Sequence, residues 1–162
     1  MTSVNLQNLL DAAREPLLAG DYPRALALYE KLTRHGPGAA VVWYEYGNAA
    51  FKSHQPELAD RAWRKAIELE PHNAELIGMI GHQYQALRQT ERARACFAQA
   101  AAADPRGINS RISLAVLLEK THQIAEARQA VEECLAIDKT DDQARYLSAM
   151  LDRREGRLEA IK

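Results

Sequence analysis

The chain is poor in cysteine, in β-branched residues and in long apolar runs, and each shortage closes off a class of protein. Only two cysteines occur in 162 residues, Cys96 and Cys134, at a separation that matches no zinc or redox motif. Both read as small core residues, which suits a reducing cytoplasm, and the chain is expected there. No stretch comes near the roughly 18 apolar residues that would span a bilayer. The opening MTSVNLQNLLDAAREP has no basic region leading into an apolar block, so neither secretion nor membrane insertion is expected. Charge of one sign is also missing: 21 Lys and Arg against 22 Asp and Glu leave a formal charge of -1, with no basic run to follow a phosphate backbone. Nucleic acid and membrane are therefore not expected as partners. There is no Gly-rich phosphate loop, no G-x-S-x-G elbow and no H-E-x-x-H pair. The histidines, His35, His54, His72, His82 and His122, never fall three or four residues apart, the spacing that would put two on one helix face. No catalytic residue, no metal site and no cofactor is expected.

What the chain does contain is alanine at helical spacing and a hydrophobic fraction of 47%, enough for one well-buried domain or one continuous stack. Sparse β-branching with abundant alanine favours close-packed helices over sheet. The stretch from Ala40 to Pro71 reads as a helical hairpin. Trp43, Tyr46, Gly47 and Ala50 share a first segment, Ala59, Trp63, Ala66 and Ile67 a second, and a polar turn around Lys52 to Pro56 separates them. A hairpin this short cannot bury both apolar faces alone and needs similar neighbours.

The chain supplies them at a period of 34 residues. Ala25, Ala59, Ala93 and Ala127 form one column, followed four residues later by Tyr29, Trp63, Phe97 and Val131. Pro37, Pro71 and Pro105 form another, with Lys139 in the fourth place, and Ala13, Gly47, Gly81, Ala115 and Ala149 hold a small residue in each first helix. The small residues let the two helices of a hairpin approach closely, and the bulky ones fill the gap beside them. Pro71 and Pro105 end second helices, while Asn73 and Asp141 stand where the following helices need N-caps.

These columns resemble the tetratricopeptide repeat, whose pattern is Trp-x2-Leu-Gly-x2-Tyr, then Ala-x3-Phe, then Pro. The second unit matches as Trp43, Tyr46, Gly47, Ala59, Trp63 and Pro71, the third as Ile80, Gly81, Tyr84, Ala93, Phe97 and Pro105. The resemblance implies a bacterial-type repeat protein, all-α, a right-handed α-solenoid of stacked helix-turn-helix hairpins forming a single domain over 1–162. Its repeats are placed at about 6–39, 40–73, 74–107 and 108–141, with a partial fifth at 142–162. The first unit departs from the pattern, with Leu9 in place of the aromatic and Pro16 inside its first helix, as suits a terminal repeat. In the fifth, a helix from about Asp142 to Glu155 is expected to turn at Gly156 and begin an unfinished second helix. Leu147, Leu151 and Ile161 are then expected to be partly exposed, with fraying after Gly156 and a possible homodimer through this C-terminal edge.

In this family the first helices line a continuous groove that receives extended peptides or partner helices. The resemblance places Tyr44, Asn48, Met79, His82, Gln85, Asn109, Ile112 and Tyr146 along it, amides and imidazole facing a peptide main chain and apolar groups anchoring its side chains. Phe51, Val116 and Met150 fall on the same face and can instead fill space between first helices. One subfamily clamps the C-terminal carboxylate of chaperone peptides with two lysines, two asparagines and an arginine. The matching central slots here are Tyr44, Asn48, Met79, Asn109 and Ser113, and only Asn48 agrees. The function implied is a protein–protein interaction scaffold that is not an enzyme. The alternatives are a self-association module, or the N-terminal recruiting module of a larger enzyme of glycosyl- or sulfotransferase type, of which this chain would be a fragment.

Overall fold

The computed structural model describes the backbone of residues 3–35 and 38–159, and the side chains within 7–34 and 38–156. The described residues form nine helices and no strand. They are α1 (Ser3–Leu18), α2 (Tyr22–His35), α3 (Ala40–Lys52), α4 (Pro56–Leu69), α5 (Ala74–Ala86), α6 (Thr90–Ala103), α7 (Asn109–Lys120), α8 (Ile124–Ile137) and α9 (Asp142–Glu159). The fold is an all-α helical repeat. Backbone contacts divide it into two compact units, 1–76 and 77–162, with the division falling inside α5.

In the first unit, α1 packs on α2, α2 on α3 and α3 on α4. Its core joins Leu10, Ala13, Ala25, Tyr29, Leu32, Val42, Tyr46, Ala49 and Ala62. Pro16 is buried and α1 continues through it to Leu18. In the second unit, α6 packs on α7, and α9 lies against both α7 and α8. Ala115, Leu118, Ala127, Val131, Cys134, Ala144, Leu147 and Leu151 make its core. Burial pushes the Cys96 and Cys134 thiols up to about 11.

The small and large columns meet as the sequence predicts. A Cβ built on Gly47 would lie 2.4 Å from Trp63 Cδ1 and 2.4 Å from Nε1, and one on Gly81 would lie 2.6 Å from Phe97 Cε1. Neither ring has room for a methyl group below it. The fourth repeat places Ala115 in the small slot, and there the buried filler is Val131. From the second to the fourth repeat slot and filler therefore vary inversely in size at close-packed density, while the first pairs Ala13 with the buried Tyr29.

The turns inside the hairpins follow one design that the sequence did not advertise. Gly20 at φ 79, His54 at φ 59, Arg88 at φ 56 and His122 at φ 63 are all left-handed. The residue after each donates its N–H six-to-one across the helix end: Asp21 to Pro16 at 2.8 Å, Gln55 to Ala50, Gln89 to Tyr84 and Gln123 to Leu118, the last three at 2.9 Å. This is the Schellman arrangement. The same four residues then accept from Ala25, Ala59, Ala93 and Ala127, opening the next helix at once. One residue thus closes one helix and starts another, and the alanine column marks its first bonded turn.

Between hairpins the caps vary. Asn73 Oδ1 accepts from Leu76 N at 3.0 Å and Asp141 Oδ1 from Ala144 N at 2.7 Å, so both act as the N-caps expected of them. The corresponding place before α7 is Gly107, which has no side chain to offer. There the Arg111 guanidinium reaches back and donates to the carbonyls of Gly107 at 2.6 Å, Ala101 at 3.0 Å and Asp104 at 3.0 Å. It ties the end of α6 to the start of α7.

The C-terminal region corrects two expectations. Gly156 occupies the left-handed column, 34 residues after His122, yet α9 runs through it to Glu159 without turning. Two ion-pair sets hold the end of α9 along its neighbours: Arg128 with Glu155 at 2.6 Å and Asp152 at 2.8 Å, and Arg154 with the buried Glu119 at 2.5 Å. Leu147 and Leu151 are also buried rather than exposed, because they face back onto α7 and α8. The forward-facing residue is Ala149, exposed where Ala13, Gly47, Gly81 and Ala115 are covered. The apolar edge on which pairing between copies was expected is therefore not built from those leucines. Ile161 and Pro37 lie outside the described residues.

Candidate functional site

The predicted groove residues sit on first helices in both units. In the first unit Tyr44 is half-buried, and Asn48 is committed to structure, since its Oδ1 accepts from Trp63 Nε1 at 3.1 Å. Trp63 is itself buried and meets Phe51 edge to face at 6.1 Å. Phe51 is thus a packing residue. Asn48 keeps its NH2 group and one lone pair of its carbonyl for any ligand.

A charged link that sequence reasoning missed joins α1 to α3. Arg14 donates to both carboxylate oxygens of Glu45, through Nε at 3.0 and 3.1 Å and through its terminal nitrogen, and the Tyr29 hydroxyl donates to Glu45 Oε2 at 3.0 Å. Hydrogen bonding to Glu45 raises the Arg14 guanidinium above its ordinary value. Burial, with the Glu45 charge behind it, raises the Tyr29 phenol well above its own. The available signal was an opposite-charge pair 31 residues apart, the spacing that brings neighbouring first helices together.

The second unit repeats that spacing without charge. Ser113 on α7 lies 3.4 Å through its hydroxyl from His82 Nε2 on α5, again 31 residues away. The same hydroxyl donates to the Asn109 carbonyl at 3.0 Å, and His82 Nδ1 stands 3.3 Å from the Gln85 side-chain amide oxygen. The imidazole rests edge-on against Phe97, with centroids 4.9 Å apart. His82 is nonetheless exposed, as is Asn109, and Gln85 is half-buried. α5 and α7 approach closely beside this cluster, where a Cβ on Gly78 would meet Ser110 Oγ at 3.2 Å. Met79 on α5 is 37% exposed and Tyr146 on α9 is 69% exposed, both large apolar groups in water.

Ile112 departs from its expected role. It is only 8% exposed and belongs to the core between α7 and α8, so it packs the repeat and offers no anchor. The helix face is rotated by about one residue from the assumed one, which brings Ser113 beside His82 instead. Among the described residues no group of three His, Cys, Asp or Glu side chains is placed to hold a metal, and no helix is long and apolar enough to cross a membrane.

Comparison with known proteins agrees with this architecture. Two tetratricopeptide repeat models match, over residues 40–73 and 79–142. No curated protein gives a significant match. Among solved structures, one of MamA superposes with a TM-score of 0.72 at 18% identity, over 96% of this chain and 85% of that one. PilF of Pseudomonas aeruginosa gives 0.68 at 18% identity, over 93% and 69%. The first repeat domain of Spaghetti (RPAP3), solved with the HSP90 peptide SRMEEVD, gives 0.60 at 18% identity, over 74% and 94%. With its 34-residue columns, its glycine and aromatic slots and two family models matched, the chain belongs to the tetratricopeptide repeat family, a family of protein–protein interaction modules.

Proposed function

We propose that this chain is an adaptor that binds a segment of a partner protein along the first-helix face of residues 77–162. The observation that carries the reading is the conjunction on one unit of exposed polar groups and exposed apolar ones. His82, Gln85 and Asn109 offer donors and acceptors to a main chain, while Met79 stays in water on a helix that buries Leu76, Ile77, Ile80 and Tyr84, and Tyr146 on one that buries Leu147 and Leu151. The RPAP3 domain, alike in fold, holds the peptide SRMEEVD, in which three of the last four residues are acidic. The charged clamp of the subfamily that binds such chaperone tails has no counterpart here. Of its central slots only Asn48 agrees, and Trp63 occupies one lone pair of the Asn48 carbonyl. An adaptor of this kind works by holding, with no bond made or broken.

Site-specific photo-crosslinking in the source cells tests this. A crosslinker at Met79 or Tyr146 should capture a discrete partner band, and one at the exposed Ala98 on α6 should not. Capture from Ala98 alone would place the interface on the second helices and refute the reading.

A further inference from the structure

Among the first helices of the second unit, α5 and α7 carry little charge, although charged residues make up 27% of the chain and α9 is rich in them, with Asp142 and Arg145 exposed in its first turns. On α5 the single charged residue is Glu75, in its first turn. On α7 there are three, and two are withdrawn from the face. Arg111 is spent on the carbonyls of Ala101, Asp104 and Gly107 and lies 3.5 Å from Glu133. Glu119 is buried against Arg154. The third, Lys120, is the last residue of the helix. Between these ends, Arg111 apart, the exposed or half-exposed groups on the two helices are all uncharged, Met79, His82, Gln85, Asn109, Ser113 and Val116 among them. The first unit contrasts, since its link at the same 31-residue spacing is the Arg14–Glu45 ion pair.

We infer that the partner segment bound here is extended and uncharged where it crosses α5 and α7, and is recognised through its main chain together with one apolar side chain. This rests on the interaction reading above. Asn109 and the free side of the Gln85 amide match peptide N–H and C=O groups, which any sequence supplies. Met79 beside them matches an apolar side chain. A carboxylate or ammonium lowered onto this surface would lose water and gain no opposite charge, so charged residues are rejected by desolvation. The occupant is thereby distinguished from an acidic tail, for which α5 and α7 offer no cation short of Lys120 at the helix end.

The test uses the full chain as bait for a random-peptide display library, followed by fluorescence anisotropy of synthesised binders at low and high sodium chloride. Enriched peptides should share a short uncharged stretch with one apolar position. Their Kd should change by less than about twofold with salt, because little screened charge is involved. Met79→Glu should weaken them at least about tenfold and Asn109→Ala several-fold, with helix content and thermal midpoint retained. Peptides enriched in acidic or basic residues, losing affinity about tenfold or more in high salt, would overturn the inference and leave the interaction reading standing. Binders indifferent to both substitutions, or no binders to a folded chain, would overturn both.

Discussion

Adding one methyl group at Gly47 separates the slot-and-filler mechanism from ordinary helix energetics. In an exposed helix interior, glycine to alanine stabilises by about 1 kcal/mol through backbone entropy. Here the new Cβ would stand 2.4 Å from two atoms of the Trp63 ring, against the 3.5–4.0 Å of ordinary carbon contact. The ring cannot retreat freely. It is fully buried, edge-on to Phe51, and its Nε1 is bonded to Asn48. Overpacking costs about 1–3 kcal/mol and a strained hydrogen bond about 1 more, so Gly47→Ala should destabilise by about 1–3 kcal/mol after the helix gain. In a Trp63→Val background the fourth repeat's pairing of Ala115 with Val131 is reproduced, and the sign should reverse. Trp63→Val alone should cost about 3–4 kcal/mol, and adding Gly47→Ala should then return about 1 kcal/mol. Urea titration of the four proteins, followed by far-ultraviolet circular dichroism, closes the cycle. An equal loss from Gly47→Ala in both backgrounds would show that the indole is not what the methyl group meets.

Three further outcomes follow from the same contacts. His122→Gly and His54→Gly relieve left-handed strain at φ 63 and φ 59 and should each raise stability by up to about 1 kcal/mol, measured as a higher urea midpoint at unchanged slope. Arg111→Met removes donors to three carbonyls and should lower stability by about 2–3 kcal/mol, with faster amide exchange at the start of α7 than elsewhere in that helix. The buried thiols of Cys96 and Cys134 ionise near 9 when unfolded and near 11 when folded. Their contribution is therefore full below pH 9 and lost as pH rises toward 11. At pH 10 the loss is about 1 kcal/mol per thiol, and Cys96→Ala should show a correspondingly shallower alkaline decline of the thermal midpoint.

Most of the fold was legible because it is written in side-chain volume. The glycine and alanine slots, the fillers from Tyr29 to Val131, and the caps Asn73 and Asp141 recur in phase, and each recurrence has a steric or hydrogen-bonding cause. The turns were harder to read. His54, Arg88 and His122 take a conformation that glycine normally marks, so nothing in their identity announces it. Gly156 carried the mark and did not turn, since α9 runs on through it beside the pairs Arg128–Glu155 and Arg154–Glu119. For the candidate site the helices were right and the rotation about them was not. Asn48 and Ile112 went to the hydrogen-bonding and packing needs of the hairpins, while Ser113 came to lie beside His82. A polar residue's periodicity places it on a face, but a neighbouring indole decides whether it is spoken for.

Asp21, Gln55, Gln89 and Gln123, each ending one helix and opening the next, leave no slack inside a hairpin. One inserted residue there would rotate the second helix by about 100° and carry Ala59 or Ala93 off the partner helix. The junctions between hairpins are different: 70–73 and 138–141 each hold four residues outside any helix, and 104–108 hold five. Residues 70–73 and 138–141 can accept a tag, a label or a grafted loop, whereas the left-handed corners cannot, nor can 104–108, which Arg111 ties across. The chain is thus modular at one kind of joint and welded at the other, and the element that can be added, removed or exchanged without loss of register is the whole hairpin.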